Sequence, residues 1–164
     1  MTLEISTKRN SKLIYIIGLT LLTGTLDAAA AILTSPNPNF ANTFKYIASG
    51  VFGNEAFTGG TDMVWYGIGL HYFIALLFCI AYFLLHPMFY SWFRTSFLTG
   101  LIYGIVTWFI MSHGVVPFLS QAPFPSFKLI SMLKACAILI VCLGMPVSYI
   151  STSYYFIKPG KLLS

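Results

Sequence analysis

A few side chains in this sequence have the types and placement for chemistry, and they sit where charge is costly. Asp27 interrupts an apolar run from Leu13 to Thr34. His71 falls inside a second run, Met63 to Leu85, and Lys134 inside a run from Leu129 to Ile150. His113 follows Ser112 near the end of a run from Ser96 to Val116, and Glu55 lies in the segment 35–62. Ionisable groups in hydrocarbon are rare, tend to pair, and mark function by default. The natural partner of Asp27 is His71 or Lys134. A cation beside the carboxylate keeps it ionised, whereas an isolated buried acid takes up a proton. An acid paired with an imidazole is the combination that exchanges protons near physiological pH.

Depth groups these residues. Asp27 lies seven residues inside the end of its run and His71 eight residues inside the start of the next. At 1.5 Å per residue both sit about 10 Å below the same surface. Lys134 lies about five residues inside the start of its run, and His113 and Glu55 lie near the same side. The opposite half holds almost no polar groups: His86 stands at the boundary beside Pro87, and Ser148, Ser151 and Thr152 mark the end of the last run.

The same residues have plainer uses. Asp27 with His71 or Lys134 serves equally as an interhelical clamp, since hydrogen bonds between membrane helices fix register at modest energy. Lys134 is near enough to the surface to snorkel to headgroups. His113 lies about half a turn around the helix from Gly104 and faces the headgroups unless Gly114 unwinds that end.

Other chemistry lacks its signatures. The sequence has no H-E-x-x-H, no G-x-S-x-G, no P-loop and no Gly-rich dinucleotide turn. Ser112 and His113 are adjacent, so a helix points them to different faces and no nucleophile–base pair forms. No catalytic residue and no cofactor is expected. His71 and His113 leave haem or metal binding as a weak alternative without a C-x-x-C-H or similar signal. Cys79, Cys136 and Cys142 all fall in apolar runs, without zinc spacing, and read as small apolar filler.

The elements that must position these groups follow from composition. Of 164 residues, 57% are hydrophobic and only 8% charged, against about 25% charged in soluble domains. The chain belongs in a bilayer. An apolar run of about 20 residues spans one as a helix, and four such runs occur, at about 13–34, 63–85, 96–116 and 129–150. "SPNPN" at 35–39, "HPMF" at 86–89 and "APFPS" at 122–126 supply the turns. The first run reads as a retained span rather than a cleaved leader, because it is long and Asp27 would precede the cut. The fold expected is an all-α membrane protein: a single domain over 1–164, a bundle of four transmembrane helices.

Basic residues set orientation. Lys8, Arg9 and Lys12 precede the first run, Arg94 lies between the second and third, and Lys158 and Lys161 follow the fourth. Both termini are thereby expected on the cytoplasmic side. The net charge of +5 forms no basic stripe, so no nucleic-acid partner is implied. In "FANTFKYIASGVF", Phe40, Phe44, Ile47 and Val51 recur at helical spacing, which predicts a short amphipathic helix at the outer interface or folded over the bundle mouth. Thr61 or Asp62 is expected to cap the second span, and Pro146 to kink the fourth.

Small residues allow helices to approach in lipid. Gly24 flanks Asp27 along with Thr20, Thr23, Ala30, Ala31 and Thr34, while Leu19, Leu22, Leu26 and Leu33 are read as the opposite face. Gly67, Ala75 and Cys79 share a face with His71, and Gly100-x-x-x-Gly104 marks the third span.

The stretch "WYGIGLHYFIALLFCIAYFLLHPMF…FLTGLIYGIVTWFIMSHGVVPFLSQAPF" resembles the YagU-type family of small four-span bacterial inner-membrane proteins. The shared features are His71, the aromatic and basic short turn, the Gly100/Gly104 span, and the segment from His113 to Pro117. The resemblance covers about a third of the chain. It implies the four-span fold and a bacterial inner membrane, and no specific chemistry.

The functional expectation is a non-enzymatic membrane protein with an outward polar pocket of Asp27, His71, Lys134, His113 and Glu55. Such a pocket binds or moves a proton or small ligand. The alternative is a structural or accessory subunit that uses the acid–base pair only as a clamp. The partners expected are the lipid bilayer and a second copy or another membrane protein.

Overall fold

The computed structural model describes residues 2–35, 38–115 and 129–156, with side chains from Lys12 to Tyr155 within those ranges. The Pro-rich loop, the C-terminal Lys158 and Lys161, and the side chains of Lys8 and Arg9 lie outside the described residues. Helix α1 is Thr2–Thr34, α2 is Phe40–Phe52, α3 is Glu55–Thr58 and α4 is Thr61–Phe93. Helix α5, Ser96–Ile110, continues into a π-helical turn at Met111–Val115. Helix α6, Leu129–Leu139, passes through a second π turn at Ile140–Gly144 into α7, Met145–Phe156.

Among the described residues, four helical stretches are long and apolar enough to cross a membrane: Lys12–Thr34, Thr61–Phe93, Ser96–Val115 and Leu129–Tyr155. Their outer faces carry large exposed side chains such as Ile14, Leu33, Trp65, Phe73 and Trp92. The protein is therefore an all-α, multi-pass membrane protein built as a four-helix bundle. Its core joins Ile16 and Leu19 of α1 to Tyr82 and Phe83 of α4, Tyr103 of α5, and Leu143 and Val147 of the last span.

The second span does not stop at "HPMF". Helix α4 runs through Pro87 to Phe93, 33 residues or about 50 Å, longer than the roughly 30 Å hydrocarbon layer. A proline inside a helix removes the amide that would bond the carbonyl four residues back. For Pro87 that carbonyl belongs to Phe83, and the Tyr155 hydroxyl donates to it at 2.9 Å. Tertiary structure thus replaces the missing bond and the helix continues. It ends at Arg94, whose φ of 54° is left-handed and whose amide bonds the Tyr90 carbonyl. Thr95 then caps α5, its side chain accepting from the Leu98 amide.

Three other local expectations are corrected. The residue capping α4 is Gly60, with no side-chain cap bond. Thr61 and Asp62 instead occupy the first turn, where the Asp62 carboxylate complements the helix dipole. Leu19 is buried in the core rather than turned to lipid, while Leu22, Leu26 and Leu33 are exposed. The inward stripe of α1 is Ile16, Leu19, Thr20, Thr23, Gly24 and Ala28. Helix α2 packs along α4, but Phe40 and Val51 are exposed; Phe44, Ala48 and Ser49 are the buried face. Small side chains won there because the backbone of Phe44 lies directly on Gly67, where any Cβ would collide.

The third and fourth spans touch backbone to backbone. A Cβ on Gly100 would stand 2.8 Å from the Gly144 carbonyl oxygen, and one on Gly104 2.6 Å from the Ile140 Cα. The second π turn carries this contact just before Pro146. There the Met145 amide reaches back to the Ile140 carbonyl, so the fourth span widens ahead of its proline.

Candidate functional site

All four spans and α2 contribute to one small cavity. On α1 the stripe Thr20, Thr23, Gly24, Asp27 follows the spacing that keeps residues on one helix face. The two threonines bond back to their own helix, Thr20 Oγ1 to the Ile16 carbonyl (2.9 Å) and Thr23 Oγ1 to the Leu19 carbonyl (2.8 Å). Such hydroxyls are satisfied without leaving the helix. On α4, Gly67, His71, Ala75 and Cys79 repeat every four residues, and Gly67, Ala75 and Cys79 are buried. The stripes meet in a cavity of about 190 Å³ whose wall includes Asp27, Thr23, His71, Thr107, Ile47 and Leu143. Both π turns supply wall residues, Met111 from the first and Leu143 from the second. Widened turns of this kind often stand at functional sites.

His71 does not bond Asp27 directly. Its Nε2 donates to the Gly24 carbonyl at 2.8 Å. A carbonyl oxygen can only accept, so the proton is on Nε2. The ring is held edge-on by Phe44 (6.0 Å between centroids) and Tyr72 (5.4 Å). The half-buried Asp27 carboxyl shares the cavity with His71. Thr25 on α1 hydrogen-bonds the Tyr72 hydroxyl at 2.8 Å, a second tie between the two helices.

Lys134, His113 and Glu55 are not among the cavity's wall residues. Lys134 is exposed on α6. His113 is exposed and stacked on Phe109, 4.6 Å between centroids and 15° apart. Glu55 is exposed at the start of α3, where its carbonyl accepts the Gly59 amide. Lys45 of α2, also outside the wall, donates from Nζ to the Gly59 carbonyl at 2.6 Å and so closes the short α3. No group of three or more His, Cys, Asp or Glu side chains able to hold a metal occurs among the described residues.

A second polar cluster lies in the half of the bundle where the sequence shows few polar groups. His86 is 1% exposed. Its ring stacks flat on Tyr155 (4.7 Å, 3°), and its Nε2 meets Thr152 Oγ1 at 3.1 Å. That hydroxyl donates to the Ser148 carbonyl and accepts from Ser96 Oγ. Its single hydrogen is used, so His86 Nε2 is the donor in its bond. Ser148 Oγ donates to the Ser96 carbonyl (2.7 Å) and meets Thr99 Oγ1 at 2.6 Å. Nearby, Tyr103 donates to the Phe78 carbonyl at 2.7 Å. A readable signal existed: Ser96, Thr99, Tyr103 and Thr107 recur at intervals of three, four and four, one hydroxyl per turn on one face of α5.

Comparison with protein families, curated proteins and solved structures gave no match to this chain. The geometry alone therefore carries the functional reading.

Proposed function

We propose that the protein is a non-enzymatic membrane protein that binds or moves a proton or a small ligand at Asp27, in a pocket open to the outer side. The observation that carries this reading is the shared cavity. A carboxyl group and an imidazole line one small, mainly apolar space reached by every span. A carboxyl there, with no bonded cation among the described residues, gains most from taking up a proton or a small cationic ligand. Helix α2 packs along α4 and lends Ile47 to the wall. The placement of Lys8, Arg9, Lys12 and Arg94 supports termini on the cytoplasmic side.

The test is infrared difference spectroscopy of the protein in lipid, perfused between about pH 5 and about pH 8. The carbonyl stretch of a protonated carboxyl should appear and vanish with pH in the parent and be missing in Asp27→Asn. An unchanged difference spectrum in Asp27→Asn overturns the reading.

One observation favours the structural alternative. The His71 proton is spent on the Gly24 carbonyl, which ties α4 to α1 as a clamp does. A purely structural role predicts that His71→Ala lowers stability and leaves every pH-dependent signal of the parent in place.

A further inference from the structure

The Asp27–His71 cavity is larger than a proton requires. Its volume is about 190 Å³, against the roughly 150 Å³ that encloses a benzene ring in an engineered protein cavity. A ligand of about seven or eight non-hydrogen atoms therefore fits. The wall divides by chemistry. Ile47, Ile74, Phe78, Met111, Leu139 and Leu143 are apolar. The polar side chains are one carboxyl, Asp27, two hydroxyls, Thr23 and Thr107, and one imidazole, His71.

That set selects among charged ligands. An anion would meet the Asp27 carboxylate. Hard divalent ions take six or more oxygen ligands, and this wall has one carboxyl. Its Gly24 carbonyl already accepts from His71, and Thr23 gives its hydrogen to the Leu19 carbonyl. What matches is a single positive charge on a short apolar body. A primary ammonium is charged at neutral pH and brings three donors. The Asp27 carboxylate makes no hydrogen bond or ion pair with the described residues, so its oxygens remain acceptors. Thr107 is buried and its hydroxyl bonds none of the described residues. Buried hydroxyls are almost always bonded, and a polar head group in this cavity supplies the missing bond. Phe78 adds an aromatic ring, a surface that attracts cations.

We propose that the ligand is a small primary alkylammonium, its charge on Asp27, its head group also bonded by Thr107, and its hydrocarbon chain among Ile74, Phe78, Leu139 and Leu143. This rests on the reading that Asp27 binds a proton or a small ligand, and it names the class of that ligand.

Calorimetric titration of the full chain in detergent with n-alkylammonium chlorides, from methyl to hexyl, tests this. Binding should tighten about fourfold for each added methylene, the gain from burying one CH₂, until the chain fills the cavity. Neutral 1-pentanol should bind about tenfold or more weakly than pentylammonium, and sodium or magnesium chloride should not displace pentylammonium. Asp27→Asn should weaken pentylammonium binding by about tenfold or more, and Thr107→Val by about threefold or more. The valine variant loses a hydroxyl that bonds none of the described residues, so its thermal melting should match the parent's. Parent affinity in both variants overturns the proposal, since heat that ignores Asp27 is partition into detergent. Equal affinity for 1-pentanol, or displacement by sodium or magnesium, overturns it too. The infrared carboxyl band of the ammonium-free parent separates the two readings: a band that titrates while no ammonium binds keeps Asp27 as a proton site and rejects the ligand named here.

Discussion

The Tyr155 hydroxyl bonds the Phe83 carbonyl, 2.9 Å away, and that is the carbonyl that Pro87 deprives of its amide. One side chain from the last span thereby keeps the second span helical past its proline. Replacing Tyr155 by Phe should cost about 1 kcal/mol. In a Pro87→Ala background the amide returns, and the same replacement should cost clearly less. Unfolding of the four proteins of this double-mutant cycle in detergent checks it. Equal costs in both backgrounds would separate the hydroxyl from the proline.

Thr152 is the hub of the His86 cluster. It takes the His86 Nε2–H and the Ser96 hydroxyl and gives its own hydrogen to the Ser148 carbonyl. Thr152→Val keeps the shape and strands a buried donor, which costs about 1–3 kcal/mol. Thr152→Ser should recover most of the loss. Melting temperatures of the pair decide the matter: a valine variant as stable as the serine variant would show that the hydroxyl holds nothing.

The third and fourth spans approach through glycine. Gly100→Ala places a methyl 2.8 Å from the Gly144 carbonyl oxygen. Backbone cannot swing aside, so the helices must part at a cost of about 1–3 kcal/mol. A methyl on Gly18 would meet nothing within 4 Å. Gly18→Ala should therefore be neutral or gain up to about 1 kcal/mol from helix propensity. Parallel denaturation of the two variants gives the contrast, and equal stability would mean the spans are not in contact.

The architecture was legible because hydrophobic runs of membrane length leave little choice of fold. The amphipathic segment at Phe40 was legible from its spacing: Phe44 is buried and Ile47 lines the cavity, whereas Phe40 and Val51 are exposed and Ala48 and Ser49 complete the buried face because Gly67 admits the α2 backbone. "HPMF" read as a turn since a proline and its neighbours carry turn chemistry, whereas the Tyr155 bond that rescues the helix comes from 68 residues further on than Pro87. Depth along each run brought Asp27 and His71 to one level. Depth alone says nothing of rotation, and Lys134, exposed on α6, shows the difference. The hydroxyl row of α5 was missed because serines and threonines are ordinary in membrane helices, and its one-per-turn spacing becomes meaningful only when α4 and α7 present Tyr82, His86 and Ser148 to the same face.

Asp27 and His71 must open into one space for either to take part in the proposed chemistry, and cysteine cross-linking in the membrane measures that most directly. With Cys79, Cys136 and Cys142 replaced by alanine, Asp27→Cys with His71→Cys should be bridged by a short bifunctional thiosulfonate. Asp27→Cys with Lys134→Cys, and with His113→Cys, should not. A cross-link in either of those controls but not in the first pair would contradict a shared Asp27–His71 cavity.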